Sequence, residues 1–177
     1  HTDSSAASDV YKRQIIKLPE YNNTYAPSMI FGELLTSTNY NDDDLKVVGG
    51  KNGFGAKLTN IYSKKFVVET VGKNEKNKKM IFKQVFTDNM YEIGKPSVKT
   101  TTSKEYTKIT FLPDYERFHM KKGISKDMFE IFRNRVYQVS AIFPDLDVRF
   151  NEDKIKINNF QDYFRMFGYN NAVSYTH

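Results

Sequence analysis

The sequence predicts an α+β fold, a two-layer sandwich of helices on an antiparallel sheet. Three observations point there. Stretches with helical period and stretches with strand period fall in separate runs, the strand-like runs are joined by polar connections, and no internal repeat or linker divides the chain. Phe, Tyr, Ile, Val and Leu recur often enough to build a core, with aromatic residues at 15% although tryptophan is absent.

In chain order, YAPSMIFGELLTSTNY, Tyr25 to Tyr40, places Pro27 in a first helical turn and Ile30, Phe31, Leu34 and Leu35 on one apolar face. It ends in a Thr/Ser/Asn cluster that breaks helices. NDDDLKVVGGKNG is a loop. Leu58, Ile61 and Tyr62 then fall at i, i+3 and i+4, predicting a short helix from about Gly55 to Ser63. Strand-like runs follow at Phe66 to Thr70, Lys79 to Phe86 and Tyr106 to Leu112, where Ile109 and Phe111 alternate with threonine and lysine. KNEKNKK, Lys73 to Lys79, reads as a solvated hairpin tip rather than a nucleic-acid contact. From Ser125 a longer helix runs to about Phe143, its stripe of Met128, Phe132, Val136, Val139 and Phe143 reading as core packing. DVRF and KIKI flank the turn NEDK as a hairpin, and NFQDYFRMF reads as a short helix.

The two ends read differently from the rest. SSAASDVYKRQ, Ser4 to Gln14, is the translation of a stretch resembling a transposase adapter used to prepare sequencing libraries, and the reverse complement of its last codons encodes Val173 to His177. Residues 1–14 and 173–177 are therefore expected to be adapter read-through, leaving Ile15 to Ala172 as one partial domain of a longer gene product. The charge hardly changes: without Lys12, Arg13, Asp3 and Asp9 there remain 25 basic and 19 acidic residues, still +6. That bias permits a nucleotide or nucleic-acid partner without demanding one. With no cysteine there is no disulfide framework and no thiolate metal site, and no apolar run is long enough to span a bilayer.

The most informative stretch is GGKNGFGAKL, Gly49 to Leu58, with four glycines in seven positions ahead of a helix. Glycine costs folding entropy, so such a cluster is tolerated where backbone takes positive φ or approaches a ligand closely. A Walker loop would need Gly-Lys-Ser/Thr contiguous, and a dinucleotide turn a third glycine where Leu58 stands. Both fail. Successive free N–H groups followed by a helix N-terminus still make an anion site, flanked here by Lys51 and Lys57, and a plain flexible loop remains the alternative on spacing alone.

IFGELLTSTNYNDDDLKVVGGKNGFGAKLTNIYSKKFVVET, Ile30 to Thr70, resembles the ATPase domain of eukaryotic-type, type IIA DNA topoisomerase II. The similarity continues through DNM, YTKITFLPDYERF and FRNRVYQVSAIFPDLDVRFNEDKIKINNFQDYF. The resemblance implies the GHKL, or Bergerat, ATPase fold, incomplete at the N-terminus, with the glycine box in a lid over the ATP triphosphate. It implies ATP contacts from Gly50, Lys51, Asn52, Gly53, Phe54, Gly55, Ala56 and Lys57, and from Ser37, Thr38 and Asn39, which stand where the family has Ser-Ser-Asn. Lys51 replaces the more usual arginine, keeping the charge and losing the bidentate fork.

By the same resemblance, the glutamate base, the asparagine that holds Mg2+ and the adenine-reading aspartate lie upstream of Ile15. The transducer lysine, the DNA-cleaving tyrosine and its magnesium carboxylates lie beyond Ala172. No catalytic residue and no metal ligand is therefore assigned within the chain. The expected partners are ATP, and, through the whole enzyme, double-stranded DNA and a second copy in a homodimer, with no membrane; the expected location is the nucleus for a cellular source. Asp42, Asp43 and Asp44 lack the spacing of a calcium loop, His119 has no partner for a metal set, and Glu33 and Glu130 have no paired carboxylate. Two other readings stay open: another ATPase of the same fold, such as a mismatch-repair or chaperone protein, and a non-enzymatic basic module gripping nucleic-acid phosphate.

Overall fold

The computed structural model describes residues 14–34, 54–157 and 159–168. Two units divide the chain, one ending at Phe118 and the other starting at His119. The first opens with a small hairpin of β1 (Lys17–Leu18) and β2 (Thr24–Tyr25), turned through a 3-10 segment and by Asn22 and Asn23 in the left-handed region. Helix α1 (Ala26–Gly32) follows at once, with Pro27 in its first turn, where a missing N–H costs nothing. After the residues outside the description come α2 (Phe54–Ile61), β3 (Ser63–Lys73), β4 (Lys79–Thr87), β5 (Glu92–Ile93), β6 (Ser97–Thr100) and β7 (Tyr106–Pro113).

The sheet has the order β5-β4-β3-β7, all antiparallel, with β6 also paired to β4. Short β5 and β6 thus share one edge of β4, against Phe86 to Thr87 and Met80 to Lys83 respectively. Between them Gly94 N–H donates to the Val85 carbonyl at 2.8 Å, and a Cβ on Gly94 would lie 2.7 Å from that oxygen, so glycine is required by this approach. The β3–β4 turn falls on KNEKNKK as expected: Asn74 Oδ1 accepts the N–H groups of Lys76 and Lys78, and Asn77 takes φ 57°.

Alternation along the ladder sorts the core. Phe66 faces Phe86, Val68 faces Gln84 and Thr70 faces Phe82, and these residues are buried together with Ile15 and Phe31. The rings of Phe66 and Phe86 meet edge to face at 6.2 Å, a favoured aromatic geometry. Gln84 sits in this apolar row because both ends of its amide are satisfied: Ser28 Oγ donates to Oε1 at 2.7 Å and Nε2 donates to the Gly94 carbonyl at 2.9 Å.

The second unit holds α3 (Lys126–Ile142), the hairpin of β8 (Arg149–Phe150) and β9 (Asp153–Lys154), and α4 (Phe160–Arg165). Ser125 caps α3 by accepting the Met128 N–H, and Asn159 caps α4 by accepting that of Asp162. The hairpin turns at Asn151 and Glu152, both at positive φ. Ser140 Oγ donates to the Ile157 carbonyl, and the Tyr163 hydroxyl donates to Asn134 and accepts from Gln138.

The elements that the sequence predicts are present in kind and order, whereas the short strands β1, β2, β5 and β6 are not among them and the last hairpin pairs Asp153–Lys154 rather than KIKI; two side-chain readings need correction. Helix α1 stops at Gly32, and Glu33 is already extended, so Leu34 is exposed and not part of an apolar face; Leu35 lies outside the described residues. Gly32 both disfavours the next turn and sits against Phe86. The α3 stripe is not core: Phe132, Val139 and Phe143 are exposed, Met128 and Val136 half-buried, while Ser140 and Ala141 are the buried pair. Within its own unit α3 packs on β8 and α4, two short elements. In β7 the alternation is right, yet Ile109 and Phe111, on the side of Val68 and Phe66, remain exposed.

Replacing Phe66 by alanine removes the ring that joins α1, β4 and β7. Chemical denaturation is expected to show a loss of about 3–5 kcal/mol relative to the unaltered protein.

Candidate phosphate-binding site

Phe54, Gly55, Ala56 and Lys57 form the first turn of α2; Ser37, Thr38, Asn39, Gly50, Lys51, Asn52 and Gly53 lie outside the described residues, as do Asp42, Asp43 and Asp44. The first turn of any helix carries backbone N–H groups without intrahelical partners, together with the positive end of the helix dipole. Gly55 has no positive φ, and a Cβ there would meet nothing within 4 Å. Neither backbone strain nor packing within the described chain therefore requires glycine. A glycine in a helix costs about 1 kcal/mol relative to alanine, which fits a position kept open for close approach by a ligand.

Helix α2 is turned inside out relative to its apolar pattern. Leu58 and Tyr62, two of the three residues that revealed the helix, are 46% and 37% exposed, whereas Lys57 and Asn60 are 3% and 0% exposed. These two lie three apart and share a face. Asn60 Nδ2 donates to the Phe31 carbonyl of α1 at 3.0 Å, and its Oδ1 is a buried acceptor without a hydrogen-bond partner among the described residues. Burial of the Lys57 ammonium pulls its pKa below the usual lysine range, a pull that the negative charge of Glu33 opposes.

The far end of α2 is held by groups that sequence reasoning left without a role. Tyr62 N–H caps the Leu58 carbonyl, Ser63 Oγ donates to the Thr59 carbonyl, and Asn89 Nδ2 donates to the Ile61 carbonyl. The Asn89 amide also donates to Asp114 Oδ2 at 3.0 Å, and the Asp114 N–H donates to the Tyr62 carbonyl at 2.8 Å. Lys64 Nζ stands 3.4 Å from the same carboxylate. Burial on its own would raise the Asp114 pKa, but hydrogen bonds from Asn89, from the Arg117 backbone and from Lys64 outweigh it and hold the carboxyl below its ordinary value. DNM and FLPD were visible as stretches, and Asp and Asn beside a strand end do signal a turn; what the carboxylate touches required three-dimensional contacts.

Elsewhere in the first unit a cleft of about 400 Å³ is lined by Lys17, Tyr25, Ser28, Glu33, Gln84 and Phe86 among others; Phe54 to Lys57 take no part in it. Among the described residues no group of three or more His, Cys, Asp and Glu side chains could hold a metal ion, and no helix is long and apolar enough to cross a membrane. His119 is exposed, at φ 55°.

Asp114 supplies a pH signature. With a folded pKa below the unfolded value of about 4, its contribution is complete above that pH and lost as pH falls through the folded value. Stability followed by denaturant titration from neutral pH down to about 3 is expected to fall less steeply for Asp114→Asn than for the unaltered protein.

No family model matches the chain. It is similar to DNA topoisomerase 2 of Meyerozyma guilliermondii, 43% identical over 153 residues, covering 86% of this chain and 11% of that protein. The corresponding figures for DNA topoisomerase 2 of Acanthamoeba polyphaga mimivirus are 46%, 152 residues, 86% and 12%, and for human DNA topoisomerase 2-alpha 42%, 143 residues, 81% and 9%. Among solved structures, the ATPase region of Saccharomyces cerevisiae topoisomerase II superposes with a TM-score of 0.73 at 40% identity, covering 82% of this chain and 38% of that one. The ATPase and transducer domains from Balamuthia mandrillaris give 0.73 at 39%, covering 83% and 38%. The chain thus spans about a tenth of the length of the curated relatives it matches.

Proposed function

Since the chain belongs to the type IIA DNA topoisomerase family, within its GHKL-type ATPase region, we propose that it forms the phosphate-holding part of an ATP site in an ATP-hydrolysing topoisomerase. The observation that carries this reading is the buried Lys57 in the first turn of the helix that the glycine box opens. A cation shielded from water interacts with a polyphosphate far more strongly than one on the surface. The N–H groups of the same turn point along the helix axis toward the anion, and Gly55 keeps side-chain bulk out of the approach. Ser37, Thr38, Asn39 and Gly50 to Gly53 are assigned to the same site on their motif.

In the longer protein, ATP binding closes the lid, two ATPase regions dimerise, and the closed gate traps one DNA duplex for passage through another. Differential affinity for ATP between open and closed states supplies the drive. The base that activates water and the Mg2+ ligands are assigned upstream of Ile15, and among the described residues no group of three or more His, Cys, Asp and Glu could hold the ion. Nuclear location is the corresponding proposal for a cellular source. A non-enzymatic phosphate-binding module is not favoured, because the similarity extends over the strands and helices beyond the glycine box.

In the longer protein, Lys57→Met is expected to weaken ATP binding about tenfold or more by calorimetry. Nucleotide affinity equal to that of the unaltered protein would take Lys57 out of the site. The 177-residue chain alone is expected to release no phosphate from ATP. Magnesium-dependent turnover by it, followed by a phosphate-release assay, would refute the upstream assignment of the base.

A further inference from the structure

We infer that Asn89 and Asp114 are positioning residues for the nucleotide site, fixing the C-terminal end of α2 so that Lys57 near its other end stands at a set depth. The inference rests on the reading of Lys57 as a phosphate contact. Two carbonyls at the exit of α2 are taken by this pair: Ile61 by the Asn89 amide and Tyr62 by the Asp114 N–H. The pair is itself joined, Asn89 Nδ2 to Asp114 Oδ2 at 3.0 Å, and both residues are buried, at 8% and 5% exposure.

The frame behind the pair is the sheet. Asp114 directly follows β7, and Asn89 lies in the turn that leaves β4, where its own N–H donates to the Ser63 carbonyl. Asp88, Asn89 and Met90 all have positive φ, 47°, 57° and 68°, a costly succession for residues other than glycine. Such strain persists when surrounding contacts over-determine it, and the Asn89 hydrogen bonds do so here. Arg117 and Phe118 add a second grip, the guanidinium lying 5.5 Å from the Tyr62 ring centroid and the Phe118 ring 5.4 Å from it.

A helix transmits axial displacement with little loss. At 1.5 Å per residue, the eight residues of α2 span about 12 Å, so slippage at Ile61 reappears at Lys57. Misplacement of about 1 Å at a polar contact can cost as much as two orders of magnitude in function. Leu58 is too exposed to resist such slippage by packing, which leaves the hydrogen bonds at the exit, the ring contacts of Tyr62 and the Asn60 bond to α1.

The test uses the longer protein and two probes, ATP and adenosine, titrated calorimetrically into the unaltered protein, Asn89→Ala and Asp114→Asn. Asn89→Ala is expected to weaken ATP about tenfold with adenosine affinity within about twofold, because the proposed contacts of α2 are to the phosphates and not to the nucleoside. Asp114→Asn keeps an oxygen that can accept the Asn89 amide, and is expected to lose about threefold for ATP with the same selectivity. An unchanged ATP-to-adenosine ratio in both variants would overturn the inference, since a merely structural role lowers both affinities or the active fraction together. Should Asn89→Ala fail to fold, the ratio in Asp114→Asn decides by itself. An unaltered protein that does not bind ATP overturns the phosphate site and the positioning role together, whereas normal binding with unselective variants overturns only the latter.

Discussion

The hydrogen bonds that receive the last carbonyls of α2 are the constraint on which the first unit depends. An amphipathic helix is normally seated by its apolar side, and burial of that side sets both depth and rotation. In α2 the seating is polar: Asn60 bonds the α1 backbone, Ser63 and Asn89 close the exit, and Lys57 is drawn inward while Leu58 faces out. Directional bonds specify orientation where apolar contact alone permits rotation, and a helix that presents a charge to a ligand benefits from that specification.

The sheet provides the rigid reference for those bonds. Phe66, Phe82 and Phe86 fill the space beneath α1, and Gln84 in the same row is bonded at both ends of its amide. Across β3 the same strictness holds: Thr70 Oγ1 bonds the Tyr106 carbonyl, and Glu69 accepts from the Tyr106 hydroxyl at 2.7 Å while Lys83 approaches at 3.3 Å. The Tyr106 hydrogen bond, foremost, draws the Glu69 pKa below the usual carboxylate range. With both faces of β3 committed, the turn after β4 and the end of β7 hold fixed positions, and Asn89 and Asp114 inherit them.

Periodicity revealed every long element, since the 2-residue and 3.6-residue patterns of KMIFKQVF and MFEIFRNRV are strong local signals. Which side faces inward was less legible. For α2 the pattern gave the helix but not its seating, because the burial of Asn60 goes with its bond to the α1 backbone rather than with hydropathy. Phe54 to Lys57, the described residues proposed to face phosphate, were legible through glycine spacing and family resemblance, both local properties. Asn89 and Asp114 stayed silent because their partners are 25 residues apart along the chain and because an aspartate after a strand reads as any other turn residue. For α3 the apolar stripe was real, yet an apolar stripe states only what a helix can bury, and not whether a neighbour is at hand.

The two margins of the sheet are protected unequally. One side of β4 is shielded by β5 and β6, whereas β7, eight residues long, pairs only with β3 among the described residues and carries Ile109, Phe111 and Leu112 in water. A row of open backbone donors and acceptors next to exposed apolar side chains is a template for strand addition. Expressed by itself, the chain therefore carries a self-association hazard seated in β7, and a lysine introduced at Phe111 would act as a gatekeeper against edge-to-edge growth.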